Sequence, residues 1–164
     1  MQERQHILLV EDDPAIAQSL ETGFFRIFTC LEVADSVVDG ISYFYAEVRR
    51  LKTLLAELER EDVLPLFFAI DEIFRGTNNR ERLAGSRAYV RSLAGKNGLG
   101  LIATHDLALT ELADELPQVV NYHFRDQVED GRMAFDYTLR PGPCPTTNAL
   151  TIMRLEGLPV PNVS

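Results

Sequence analysis

Two carboxylates stand side by side at Asp71 and Glu72, directly after the short apolar run Leu66–Ile70, Leu-Phe-Phe-Ala-Ile. A continuous apolar run of that length suits a strand buried on both faces of a parallel sheet. Acids at its carboxyl end would then stand where open α/β sheets bind their ligands. A hard divalent cation takes carboxylate oxygen, and a second carboxylate beside it can polarise an attacking water. The same letters also describe a strand that runs into a solvated acidic turn. Further along, Gly98–Asp106 reads GLGLIATHD, a second buried-strand pattern that ends on Thr104-His105. Near the amino terminus, His6–Val10 (HILLV) is a third strand pattern, followed at once by Glu11-Asp12-Asp13-Pro14. There Asp13 can cap a helix and Pro14 fits its first turn.

The residues around the acid pair sharpen the reading. The segment Asp71–Asn78, DEIFRGTN, resembles the Walker-B segment of the MutS family of mismatch-repair ATPases, in which Asp-Glu-Ile or Asp-Glu-Leu precedes an Arg-Gly-Thr turn. The family has a similar later strand ending in Ala-Thr-His, as Ala103-Thr104-His105 does here. Phe25–Leu55 resembles the segment between P-loop and Walker B, with a signature-like serine at Ser42. The resemblance covers about residues 23 to 160, with three motifs in order. It implies that Asp71 is the Mg²⁺-associated acid, Glu72 the general base for water and His105 the γ-phosphate sensor. It also implies that Ser42 reaches the nucleotide of a partner subunit, so that a homodimer builds composite sites. Without that resemblance Ser42 is a helix cap and His105 a hydrogen-bonded structural residue.

One part of the family pattern has no counterpart in these 164 residues. A G-x-x-x-x-G-K-[ST] loop, whose amides and Lys hold the β- and γ-phosphates, does not occur in the sequence. At its expected place ILLVEDDPAIAQSLE resembles the first strand, acidic pair and first helix of a response-regulator receiver domain, over about residues 5 to 21. In that family the paired acids bind Mg²⁺, which makes Asp12 and Asp13 metal-ligand candidates together with Asp71; the alternative is a capping acid pair. The expectation is a chimera joined near Glu21 to Phe25, with a receiver-like β-α unit in place of the P-loop unit. ATP binding is then not expected. Acids in place of a cationic cradle cost several kcal/mol per reversed charge at about 4 Å and intermediate dielectric. A bare Mg²⁺ on the three acids remains open, as does a receiver-like phosphoacceptor role for Asp71.

The elements that must position these residues follow from periodicity. The expected fold is a single three-layer α/β/α domain with a mostly parallel sheet, P-loop-NTPase-like with a flavodoxin-like first β-α unit. His6–Val10, Leu66–Ile70 and Gly100–Thr104 are its central strands and Arg26–Val33 an edge strand. A helix over about Ser42–Arg60 buries Phe44, Val48, Leu51, Leu55 and Leu58. A helix over about Asn79–Ala94 buries Leu83, Val90 and Leu93, and another runs from about Leu107 to Leu116. Val119–Asp126 and Met133–Leu139 form a hairpin around Glu129-Asp130-Gly131-Arg132. A loop through Pro141, Pro143 and Pro145 leads to a last helix over about Thr147–Glu156.

Composition narrows the partners. The chain is 46% hydrophobic and 25% charged, ordinary for a globular domain. A formal net charge of −9 argues against a dedicated nucleic-acid surface. The cations Arg75, Arg80, Arg82, Arg87, Arg91 and Lys96 read as a solvated helix face. Cys30 and Cys144 have no metal-ligand spacing and suggest a reducing, cytosolic setting. No run approaches the length of a membrane span.

Overall fold

A computed structural model describes residues 6–10, 25–30, 43–129, 132–145 and 149–161. In chain order the elements are β1 (His6–Val10), β2 (Arg26–Cys30), α1 (Tyr43–Leu58), β3 (Leu66–Asp71), α2 (Asn79–Leu93) and β4 (Gly98–Thr104). Two single-turn helices follow, α3 (Leu107–Thr110) and α4 (Leu112–Glu115), then β5 (Val119–Glu129), β6 (Arg132–Pro141) and α5 (Ala149–Leu155).

Among the described residues the strands form one six-stranded sheet in the order β2-β3-β4-β1-β5-β6. β2 runs parallel to β3, and β3 parallel to β4, with Ile70 beside Ile102 and Asp71 beside Ala103. β1 lies inside the sheet as expected, but it is antiparallel to both β4 and β5. The expected mostly parallel sheet is therefore corrected to a mixed one. An unbroken apolar run reports burial and carries no information about strand direction. The flavodoxin-like first unit is corrected with it, since a right-handed β-α crossover returns to a parallel neighbour. The helix expected near residues 14–20 lies outside the described residues.

The core lies on one face of the sheet. Along β3 the side chains alternate, so that Leu66, Phe68 and Ile70 are buried and Phe67, Ala69 and Asp71 are half-buried. Against the first set pack Leu51, Leu54 and Leu58 of α1, Val90 and Leu93 of α2, and Leu109 and Leu112 of the short helices. α5 adds no residue to this core. The described helices therefore make one layer.

The buried stripe of α1 is rotated from the expected one. Glu47, Leu51, Leu54 and Leu58 face inward, while Phe44 is 38% exposed. The expected helix over Leu107–Leu116 is two helices, because Glu111 serves as the C-cap of α3 and the N-cap of α4. The hairpin forms with Glu129 opposite Arg132. It carries an irregularity where Phe124 pairs with Leu139 but Asp126 with Phe135. Asp136, Tyr137 and Thr138 absorb that shift. Tyr137 is left-handed (φ 52°), and the Asp136 carboxylate accepts from Thr138 N at 2.9 Å.

Two glycines of β4 are required by close approach rather than by backbone angle. A Cβ on Gly100 would overlap the Phe68 ring, and one on Gly98 would overlap Leu58 and lie 2.6 Å from the Leu66 carbonyl oxygen. A ring can tilt, but a strand carbonyl cannot. Gly98→Ala is accordingly expected to cost about 1–3 kcal/mol through overpacking. A thermal melt should show this as a lowered Tm. An unchanged Tm would contradict the close β3–β4–α1 contact.

Candidate functional site

β3 and β4 are adjacent and parallel, so Asp71-Glu72 and Thr104-His105 leave the sheet at one edge. Successive strand residues face opposite sides, and the two acids separate accordingly. Asp71 is turned outward and its Oδ2 accepts from Arg75 Nη2 at 2.6 Å. Glu72 is turned inward and is 7% exposed. Its Oε1 accepts the backbone N–H of His105 at 2.8 Å and lies 2.6 Å from His105 Nδ1. Thr104 Oγ1 stands 3.5 Å from Glu72 Oε2, and it also accepts from Asp106 N at 3.1 Å. A charge-assisted contact of this kind at a buried carboxylate is strong and fixes both partners. With Nδ1 directed at Glu72, the other imidazole nitrogen is left to the half-exposed side of the ring.

The turn that carries these acids is strained. Glu72 and Phe74, neither of them glycine, have φ of 60° and 59°. Anchors from three elements hold the turn. Glu72 N donates to Ala103 O of β4 at 2.9 Å, Phe74 N to Glu47 Oε1 of α1 at 2.5 Å, and Ser86 Oγ of α2 to Ile73 O at 3.4 Å. Ile73 is 2% exposed and pins the middle of the turn in the core. Asn78 then starts α2, its side chain accepting from Glu81 N at 3.0 Å while Glu81 Oε2 accepts from Asn78 Nδ2 at 2.7 Å. The first contact is an N-cap bond, and the return contact goes to the Asn78 side-chain amide rather than to its backbone N–H.

Charges around the site are matched in pairs. Burial acts to lower the Arg75 guanidinium pKa, and the Asp71 and Glu72 carboxylates, with the hydrogen bond to Asp71, outweigh it and raise it. Below the His105 loop, Arg87 reaches Ala108 O at 2.8 Å and Glu111 at 2.9 Å, and both Arg87 and Arg91 hold Glu115. The short helices after His105 are thereby clamped to α2. Lys96 pairs with Glu59 at 3.1 Å. Four of the six cations read from the sequence as a helix face are thus engaged by acids.

Of the residues singled out in the sequence, the structure brings Asp71, Glu72 and His105 together. Ser42, Asp12 and Asp13 lie outside the described residues. The direction of β1 removes the premise on which Asp12 and Asp13 were joined to Asp71, because Val10 pairs with Gly100 and His6 with Thr104. β1 therefore points away from the edge at which Asp71 stands. Among the described residues no group of three or more His, Cys, Asp or Glu could hold a metal ion. Mg²⁺ needs only one or two carboxylates when water and phosphate oxygens complete its shell. Asp71, outward and half-buried, suits that minimal role, while Glu72 is occupied by His105. The residue that the sequence reading missed is Glu47. Its spacing with Leu51, Leu54 and Leu58 places a carboxylate in the apolar stripe, and that anomaly was the available signal.

Comparison with known proteins shows the family. The model of the family described as MutS domain V matches residues 14–164. The chain belongs to the MutS domain V family. The match begins inside the receiver-like stretch of residues 5–21, so the MutS resemblance reaches further toward the amino terminus than the expected join near Glu21 to Phe25. The DNA mismatch repair protein MutS of Roseiflexus sp. (strain RS-1) is 33% identical over 147 residues, covering 87% of this chain and 13% of that protein. MutS of Natronomonas pharaonis is 34% identical over 137 residues, 83% of the chain and 16% of the relative. A MutS 2 of Halobacterium salinarum is 32% identical over 151 residues, 92% and 17%. The chain thus spans less than a fifth of the length of these relatives. Among the described residues no helix is long and apolar enough to cross a membrane.

Two measurements check the geometry of this MutS domain V site. Glu72→Ala leaves the His105 N–H without its acceptor and is expected to cost about 1–3 kcal/mol, with Glu72→Gln costing less because its amide oxygen still accepts. Equal denaturant midpoints for the two variants would contradict the contact. The second concerns the clamp. Hydrogen bonding from Arg91, aided by the charges of Arg91 and Arg87, holds Glu115 below the usual carboxylate range. A depressed folded-state value stabilises above the unfolded one and is lost on acidification. The stability gap between the natural chain and Glu115→Gln should therefore be present at neutral pH and close as pH falls below 4.5, the ordinary value. A gap independent of pH would count against it.

Proposed function

We propose that Asp71, Glu72 and His105 are the acid-and-histidine half of a MutS-type Mg²⁺·ATP site, and that this chain by itself does not hydrolyse ATP. The observation that carries the reading is the Glu72–His105 contact, 2.6 Å at Nδ1 and 2.8 Å at the amide, at the edge where β3 and β4 end together. Asp71 is the acid that would hold Mg²⁺, which when bound supplies charge neutralisation for phosphate oxygens. Glu72 is the base. Its Oε2, opposite the oxygen held by His105, is the atom that would take a proton from water. His105, fixed through Nδ1, directs its other nitrogen outward, where a phosphate oxygen can meet it. Arg75 balances Asp71 while no cation is bound.

The inactivity follows from what the sequence lacks. Phosphoryl transfer depends on positioning and on positive charge around the phosphates, and no Gly-rich loop with its Lys occurs in the 164 residues. In this reading the missing contacts come from outside this sequence, and Ser42 serves a second copy in a homodimer, as the resemblance implies. The receiver-like string at residues 5–21 has no separate role in it.

Calorimetry of the full chain with ATP and Mg²⁺ is the test. The expected result is no micromolar binding and no phosphate release above that of Glu72→Gln. Micromolar binding together with turnover that Glu72→Gln abolishes would overturn the proposed inactivity. Turnover unaffected by Glu72→Gln and His105→Ala would remove the assigned roles.

A further inference from the structure

Glu47 is a buried acid that the proposed chemistry does not use. It is 2% exposed, in the middle of the inward stripe of α1. Its Oε1 accepts the Phe74 amide at 2.5 Å, and its buried Oε2 meets no donor among the described residues. A carboxylate half-satisfied in a core is costly, and such groups persist where they hold something else in place. What Glu47 holds is the second left-handed residue of the acid-bearing turn.

The surroundings make that contact the junction of α1 with the site. The Phe74 ring packs edge-on against Phe44 of α1 (6.1 Å between centroids) and Tyr89 of α2 (6.2 Å). A Cβ on Gly76 would lie 2.8 Å from Phe44 Cβ, so the first turn of α1 sits directly on the Arg75-Gly76 backbone. From Phe74 the chain runs back through buried Ile73 to Glu72, which is tied to β4 and His105. A change of φ at Phe74 must be absorbed within these two residues. It would reach Glu72 because Ile73 cannot move in a packed core.

We propose that Glu47 is the positioning residue of the acid site: its carboxyl fixes the left-handed Phe74 and through it aims the Glu72 carboxylate at His105. The role rests on the reading of Glu72–His105 as the working pair, but its test needs no nucleotide. Glu72 faces Glu47 from the end of β3, Arg75 from the turn and Cys30 from β2, with Arg50 of the same helix beside Cys30. Burial first, and then the Glu72 charge, raise Glu47 against the lowering effect of the Phe74 and Arg75 amides and the Arg75 charge.

The experiment follows two amide protons by NMR in the ¹⁵N-labelled full chain. Phe74 N–H reports the Glu47 contact, and His105 N–H reports where the Glu72 carboxylate sits. In the natural chain Phe74 N–H is expected downfield, with a pH inflection above 4.5, the ordinary glutamate value, that His105 N–H shares. Glu47→Gln keeps an accepting oxygen, so both protons should stay downfield while the shared inflection disappears. Glu47→Leu removes the acceptor, so both should move upfield. A Glu47→Leu effect confined to Phe74 would reduce Glu47 to a local support and overturn the proposal, as would a Phe74 N–H inflection that survives in Glu47→Gln. If Glu47→Leu does not fold, the shared inflection and its loss in Glu47→Gln decide. ATP calorimetry can fail without altering these shifts, so the two readings stand or fall separately.

Discussion

Everything at the site depends on a backbone that L-residues resist. Two non-glycine residues, Glu72 and Phe74, stand in the left-handed region, each at a cost of about 1–2 kcal/mol. Such a turn persists only when its surroundings over-determine it. Here β4 takes the Glu72 amide, α1 takes the Phe74 amide, α2 reaches the Ile73 carbonyl, and the Ile73 side chain is locked in the core. Alternation along β3 already turns Glu72 inward, and the anchored turn holds its carboxylate there. A relaxed turn would let the acid swing to solvent, where it could neither hold His105 nor be held by it.

The charge pattern extends the same constraint across the edge of the sheet. His105 lies at the start of a segment of two four-residue helices, too short to be stable by themselves. The Arg87 and Arg91 clamp on Glu111 and Glu115 supplies what those helices lack and ties them to α2, which itself begins at the Asn78 cap next to the acid turn. Each of these pairs is partly exposed and individually weak. Their value is geometric. One helix, α2, references both the acid turn and the histidine loop, so the two halves of the site share a support.

How much of this was legible in the sequence depends on the physics behind each feature. β3, β4, α1, α2 and the hairpin follow from periodicity and turn chemistry, because those signals report burial and local angles directly. The meeting of Asp71-Glu72 with His105 follows from two parallel interior strands. Strand direction is another matter. HILLV is as apolar in an antiparallel place as in a parallel one, and only the pairing of Val10 with Gly100 distinguishes them. The break at Glu111 was also invisible, since Leu107–Leu116 has helical spacing throughout. In the stripe of α1, Leu51 and Leu58 are buried and Leu55 packs against the core as expected, but Glu47 and Leu54 take the inward positions in place of Phe44 and Val48. A glutamate at heptad spacing with three leucines is the kind of local contradiction that marks a functional or supporting residue.

The division of the acid pair has a consequence for its chemistry. Two carboxylates on adjacent residues are commonly expected to share a proton or a cation, and either would require them to face one another. Here the strand pleat sends Asp71 outward to a guanidinium and Glu72 inward to an imidazole and an amide. Their direct contacts are to different partners, although the Arg75 charge acts on both. They are therefore not a dyad. Adjacency in sequence gives the pair its common edge, and opposition in space gives its members separate work.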